Sequence, residues 1–190
     1  MTLLFFDTET TGLPIMYARN KYYSARDLVK YNSSRIVQLA WCICDEDDGR
    51  VLKKESFLIS QTSPIPAEST KIHRITDEMC KEEGKPIREV FILFLEDVKE
   101  SSKIIAHNLP FDFNIILSEM YRLPKNKNMI KTFVSAPNLC TLRLKKYGKK
   151  SLSSMYEEFF HKKFENQHNA LSDCLATSEC YFFMIKHKKK

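Results

Sequence analysis

The chain has 190 residues, 43% of them hydrophobic and 28% charged, with a formal net charge of +6. This is the composition of a globular protein long enough to bury a core in one domain. No apolar run approaches the roughly 18 residues of a membrane span, and the N-terminus lacks the basic start and small-residue cleavage site of a signal peptide. An intracellular protein, of cytoplasm or nucleus, is therefore expected.

The six cysteines, Cys42, Cys44, Cys80, Cys140, Cys174 and Cys180, are scattered without a CxxC pair. They read as free reduced thiols rather than as a zinc site or disulfide framework. The charge is mild and permits a nucleic-acid partner without demanding one. The C-terminal cluster at 186–190 reads as a solvated basic tail.

Leu3 to Phe6 read as a buried strand that runs directly into Asp7 and Glu9. Side chains two apart on a strand share a face, so the two carboxylates are set side by side at the edge of an apolar core. Gly12-Leu13-Pro14 break the strand, and residues 15–34 read as an extended loop with a short helix, rich in Tyr, Arg and Lys. Ile36 to Cys44 is β-rich, Asp45 to Gly49 a turn, and Val51 to Ile59 the returning strand of a hairpin. The acidic turn reads as a solvated tip.

Glu68 to Glu83 suggests short helical pieces closed by Gly84, and Pro86 fits the first turn of a longer helix. Its buried face follows from Val90, Phe91, Phe94, Leu95 and Val98. A strand at Lys103–Ala106 leads through Asn108-Leu109-Pro110 into a helix from about Phe111 to Arg122, with Phe113, Ile116, Leu117 and Met120 inward. Pro124 to Lys131 reads as a Lys- and Asn-rich loop, and Asn138 to Lys150 as a basic, helical segment. Ser154 with Glu157 suggests a capping box for a helix through Phe160, with Ser151 as the competing cap. A last helix, from about Asn169 to Lys186, turns Leu171, Cys174, Leu175, Tyr181, Phe182 and Ile185 largely inward. No repeat or linker divides the chain, and the order of elements indicates an α/β or α+β domain around a mixed sheet.

Four acidic groups stand where core logic would not place them: Asp7 and Glu9, Asp112 in IIAHNLPFDFN, and Asp173 in HNALSDCLA. Singly each has an ordinary explanation, such as the helix dipole for Asp112. If they converge, their repulsion needs a cation, and oxygen ligands without thiolates select Mg²⁺ or Mn²⁺ over zinc. Two such ions roughly 4 Å apart stabilise the attacking and leaving oxygens of an in-line phosphoryl displacement. His168, five residues before Asp173, is placed to take a proton from the attacking water.

The blocks FDTETTG, AHNLPFDFN and HNALSD, in this order and spacing, resemble the DEDDh 3′–5′ exonucleases of the RNase H-like superfamily. That group includes the epsilon proofreading subunit, the TREX enzymes, RNase T and oligoribonuclease. RIVQLAW, IPAESTKIHRIT and TLRL extend the likeness over roughly residues 2 to 185. The resemblance implies an RNase H-like α/β fold with a mixed central sheet of about five strands flanked by helices. Residues 1–190 would form a single exonuclease domain, with 15–34 a loop insertion.

The resemblance also implies roles. Asp7, Glu9, Asp112 and Asp173 would hold two divalent cations, Mg²⁺ or Mn²⁺, and His168 would be the general base. Main chain around Thr8 and Thr10 would line the terminal nucleotide, with Leu13 packed on its base and Glu68 and His73 at its nucleoside. His73 reads equally well as a structural helix residue. Asn108 reads as a cap or turn-former, His107 has no assigned role, and His161 and His187 read as solvated. The departures from the family pattern are the 15–34 segment, readable as a single-strand contact or a surface elaboration, and Cys140 where Asp often stands.

The implied function is metal-dependent 3′–5′ hydrolysis of single-stranded nucleic acid, releasing nucleoside 5′-monophosphates. DNA is favoured because RIVQLAW and IHRIT look most like the epsilon and TREX side. A proofreading role would act with a polymerase in trans. The alternatives are an exoribonuclease of the RNase T or oligoribonuclease type and, ranked lower, a non-catalytic nucleic-acid-binding module.

Overall fold

A computed structural model of the protein describes residues 1–144 and 150–187. Five strands form the main sheet: β1 (Thr2–Thr10), β4 (Ile36–Asp45), β5 (Val51–Leu58), β6 (Lys103–Ala106) and β7 (Asn138–Cys140). They lie in the order β5-β4-β1-β6-β7. The β5-β4-β1 side is antiparallel, while β6 and β7 run parallel to β1. A separate two-stranded ribbon pairs β2 (Met16–Ala18) with β3 (Lys21–Tyr22).

The helices are α1 (Ala67–His73), α2 (Asp77–Glu82), α3 (Ile87–Glu100), α4 (Leu109–Arg122), α5 (Lys127–Ser135), α6 (Leu152–Phe160) and α7 (Ala170–Lys186). Among the described residues, no helix is long and apolar enough to cross a membrane.

Strand alternation divides the core. Leu4 and Phe6 of β1 join Trp41, Phe94, Ile116 and Phe133 on the side covered by α3, α4 and α5. Leu3 and Phe5 point the other way and pack with Ala40, Cys42, Ala170, Cys174 and Tyr181 beneath α7. A satellite cluster seats α6 on α7 through Met155, Phe159, Cys180 and Met184. Because successive residues face opposite sides, Asp7 and Glu9 continue the α7 face, and Thr8 continues the α4 face.

β6 pairs with β1 only from Leu3 to Phe5. Past Phe5 the chain of β6 turns away through Asn108, whose backbone is left-handed at φ 62°, into α4. β1 itself continues to Thr10 along β4, with a register shift between Glu9 and Thr10. The carboxyl end of β1 therefore projects into a crevice with α4 on one side and α7 on the other. Crevices at the carboxyl ends of strands are where open α/β sheets place their ligand sites.

The buried face expected for α3 is the one observed. All six cysteines are free and buried. Ser151, not Ser154, caps α6, accepting a hydrogen bond from the Ser154 amide at 3.2 Å.

Other expectations are corrected. The 15–34 segment is not simply an extended loop with a helix: it carries the β2–β3 ribbon as well as a 3₁₀ helix at Leu28–Tyr31. The expected loop at 124–131 gives way to α5 from Lys127, which lays Met129, Ile130 and Phe133 on the core. The expected helical segment at 138–150 starts instead as β7, followed by a 3₁₀ turn at Thr141–Arg143. Its remaining part at 145–149, and the tail at 188–190, lie outside the described residues. In α4, Phe113 and Leu117 are only partly buried, while Ile115, Ser118 and Glu119 take fully inward positions. Ile185 of α7 is exposed.

Candidate active site

Three elements bring the four carboxylates together. β1 supplies Asp7 and Glu9, the first turn of α4 supplies Asp112, and the first turn of α7 supplies Asp173. Asp112 is almost fully buried, and its Oδ1 accepts the Thr8 hydroxyl at 2.7 Å and the Thr8 amide at 3.1 Å. A carboxylate in the first turn of a helix is favoured by the dipole, so local electrostatics help retain a charge that burial opposes.

On the opposite wall, Asn169 caps α7 by accepting the Ser172 amide at 3.2 Å. His168, immediately before it, is left-handed at φ 62° and donates its amide to Asp173 Oδ2 at 3.1 Å. Glu9, His168 and Asp173 each bring a potential ligand atom within 4.8 Å of the others, and His168 is exposed.

The electrostatics report the crowding. Burial, then the charges of Asp112, Asp173 and Glu9, push the Asp7 carboxyl well above its usual range. Glu9 is raised to about 8 by burial and by Asp173 and Asp112. Asp112 rises to about 7 through burial, despite the Thr8 hydrogen bonds that lower it. Asp173 rises to about 7 by burial, opposed by the His168 amide.

Four carboxyls that resist ionising together are a site that gains from a cation. The donor chemistry fits a hard ion. Cys174 lies close enough to feel Asp7, Asp173 and Asp112, but burial and those charges hold it as a thiol. It faces the Ala40 carbonyl at 3.2 Å. Hard oxygen donors with no thiolate suit Mg²⁺ or Mn²⁺.

The expected substrate contacts divide. Thr8 spends both donors on Asp112, and the Thr10 hydroxyl donates to the Gly12 carbonyl at 2.8 Å. Leu13 is 68% exposed at the rim. Glu68 is exposed and pairs with Lys71 at 3.8 Å.

His73 is buried at the end of α1, where Nδ1 accepts the Ile75 amide at 3.0 Å. Its Nε2 lies near the Thr10 backbone and has no hydrogen-bond partner among the described residues. Burial lowers the pKa of this ring and so favours its neutral form, helped by the neighbouring His168 and opposed by the Thr10 backbone. A structural role at the helix end and an inward-facing donor thus coexist in one side chain. From His73 and His168 a groove of about 1180 Å³ opens outward, with Lys71, Arg74, Lys85 and Lys163 on its walls.

Gln38, Glu119, Tyr22 and His107 had no assigned role in the sequence. Gln38 bridges the sheet to α7: its Oε1 accepts the Ala170 amide at 3.1 Å, and its amide reaches Ser56 Oγ at 3.1 Å. A lone amide in the apolar run RIVQLAW was its only signal. Glu119 is 1% exposed and holds Arg35 through two hydrogen bonds, at 2.5 and 3.1 Å. Tyr22 of β3 lies beside the Asn108 side chain and feels the Asp112 charge. Asn108 makes no capping hydrogen bond, so its contribution to α4 is its left-handed backbone. His107 is held between Thr141 Oγ1 at 2.9 Å and the Lys150 carbonyl at 3.1 Å, with burial lowering its pKa to about 4.

The mixed sheet and its helices define an RNase H-like fold, shared with solved structures that include exonucleases. Exonuclease X in complex with 5′-overhanging duplex DNA superposes with a TM-score of 0.64 at 23% identity, covering 99% of this chain and 93% of that one. S. pombe Pop2p in its Mg²⁺- and Mn²⁺-bound form gives 0.73 at 19%, covering 98% and 83%. E. coli Exonuclease I in complex with a dT13 oligonucleotide gives 0.71 at 15%, covering 99% and 41%.

The chain belongs to the RNase T exonuclease family, whose model matches residues 4–181. It is 29% identical over 188 residues to the PolC-type DNA polymerase III of Streptococcus pneumoniae serotype 2 (strain D39), covering 97% of this chain and 11% of that protein. It is also 29% identical over 195 residues to a DNA polymerase III subunit epsilon-like protein of Rhodobacter capsulatus, covering 97% and 24%. The chain therefore spans only a minor part of the length of these curated relatives.

Proposed function

We propose that this exonuclease removes nucleoside 5′-monophosphates from the 3′ end of single-stranded nucleic acid, with DNA preferred, residues 1–190 acting as one exonuclease domain. The observation that carries the reading is the convergence of Asp7, Glu9, Asp112 and Asp173, from three distant parts of the chain, around one crevice beside His168. These carboxylates would hold two Mg²⁺ or Mn²⁺ ions. When bound, the ions supply positive charge to the attacking and leaving oxygens of an in-line displacement.

The residues themselves have defined tasks in this reading. Thr8 fixes the Asp112 carboxylate through two donors, so its orientation is set before substrate arrives. His168 stands exposed at the mouth, where an imidazole can accept the proton of the attacking water. The main chain at Thr8 and Thr10, with Leu13, would line the terminal nucleotide, and His73 Nε2, beside the Thr10 backbone, would face it. Glu68 is the weakest of these contacts, since its side chain points to solvent.

The polymerase relatives support DNA as substrate, and the subunit epsilon-like relative supports a polymerase as a partner in trans. Action within a cell, in cytoplasm or nucleus, accords with such a partner.

The test is a 5′-labelled DNA oligonucleotide incubated with Mg²⁺ or Mn²⁺, with and without chelator, beside its RNA counterpart. A descending ladder that disappears with chelator is expected. Release of label as a mononucleotide at the outset would reverse the polarity. Faster RNA turnover would make the protein an exoribonuclease, and no release at all would leave a binding module.

A further inference from the structure

The β2–β3 ribbon and the segment behind it use their residues in two ways. Their base is fastened to the fold. Tyr31 is fully buried, and its hydroxyl donates to the Tyr23 carbonyl at 2.6 Å. Arg122 of α4 donates to the Leu28 carbonyl and to Asn32 Oδ1, both at 3.0 Å. Arg26 donates to the Tyr121 hydroxyl at 3.0 Å. The helix that anchors the segment is thus the one that carries Asp112. At the inner end, the Tyr22 ring meets Phe111 edge-on at 6.4 Å, next to Asp112 in sequence.

The outer part is left unspent. Ile15, Met16 and Tyr17 are exposed, as is Leu13 before them. Tyr17 meets Tyr23 edge-on at 5.3 Å, and Lys30 Nζ covers the Tyr23 ring at 4.8 Å. Both contacts fall on Tyr23, while Tyr17 remains 59% exposed. Residues 15–34 carry Arg19, Lys21, Arg26 and Lys30 against a single carboxylate, Asp27. An exposed tyrosine set among cations, beside an acidic reaction centre, matches the bases and phosphates of a single strand.

We propose that the β2–β3 ribbon is the second wall of the substrate channel: Tyr17 stacks on a base of single-stranded nucleic acid upstream of the terminal nucleotide, and Arg19 and Lys21 contact its phosphates. The inference rests on the exonuclease reading of the Asp112 crevice. It adds a binding site outside the carboxylate cluster, and makes this segment a determinant of how substrate length affects affinity.

The experiment measures binding of fluorescein-labelled dT3 and dT12, with rU12 in parallel, by anisotropy. It uses the full chain carrying Asp7→Asn to prevent cleavage, then the same chain with Tyr17→Ala or with Arg19→Ser and Lys21→Ser together. Tyr17→Ala should weaken dT12 binding by about 5–150-fold, the range of one base–aromatic stack, and dT3 by less. The double variant should reduce the salt dependence of dT12 binding by about 0.7 in log–log slope for each phosphate no longer neutralised. Equal affinity of all variants for both dT12 and rU12 would overturn the proposal, as would an equal loss for dT3 and dT12. A Tyr17 effect confined to rU12 would keep the wall and make RNA its occupant. Failure of the exonuclease reading is seen separately, as absence of cation-dependent turnover by the wild-type chain. Ribbon-dependent binding without turnover would leave the binding site in place.

Discussion

Thr8 gives both its hydroxyl and its amide to one carboxylate oxygen, Asp112 Oδ1, at 2.7 and 3.1 Å across 104 residues of sequence. The contact ties the central strand to the start of α4. It also commits that oxygen and orients the carboxyl group. Since Thr8 points away from Asp7 and Glu9, the strand uses one face to position a distant carboxylate and the other to present its own.

Thr8→Val keeps the shape of the side chain and removes one of the two donors. Activity at limiting Mn²⁺ should fall about 10–100-fold, the effect expected of a partner that orients a ligand, with the thermal transition little changed. Titrating turnover against Mn²⁺ concentration measures it. Unchanged activity would make the Thr8 contact purely structural.

Asp7→Asn removes the carboxylate most crowded by its neighbours. Turnover should be abolished, while the metal-free protein should gain about 1 kcal/mol or more, read as a rise of about 2–4 °C in Tm. Scanning calorimetry in chelator checks it. A lower Tm would mean that Asp7 serves the fold rather than the site.

The raised carboxyls make stability depend on pH in a stated direction. Asp112 and Asp173 titrate at about 7 and Glu9 at about 8 in the fold, above the roughly 4 of an unfolded chain. As pH rises from 4 the unfolded state loses these protons first, so the metal-free fold is most stable in acid and weakens up to about pH 8. Mg²⁺ should flatten that decline, and binding it at pH 7 should release protons. Urea midpoints at pH 5 and 8, with and without Mg²⁺, test the sign; a metal-free midpoint that rises with pH would contradict it.

His168→Ala should lower kcat by about 10²–10⁴-fold, the usual contribution of a general base, while Mn²⁺ affinity changes little. Its proximity to Glu9 and Asp173 makes the affinity measurement necessary. A loss of Mn²⁺ binding as large as the loss of rate would make His168 a ligand.

Much of the fold follows from periodicity. The α3 face from Val90 to Val98 repeats at helical spacing and is buried as expected. β1 and β6 are short apolar runs bounded by turn residues, and each appears where those runs lie. α5 and β7 escaped that reading for different reasons. In α5 the many Lys and Asn residues mask the apolar side of Met129, Ile130 and Phe133. β7 has three residues, too few to show a period of two, and exists because β6 offers it a parallel edge.

The chain alone carries the identity of the site groups. Carboxylates set against apolar runs at Asp7, Glu9, Asp112 and Asp173 are costly without a purpose, and that cost is visible in one dimension. Only the tertiary structure decides what they meet. β1 outruns β6 after Phe5, opening the crevice into which α4 and α7 start. It also turns His73 inward, seals the Arg35–Glu119 pair and brings Tyr22 beside Asn108. These are contacts between residues remote in sequence. Local pattern does not encode them, because their geometry depends on how strands and helices pack around the shared core.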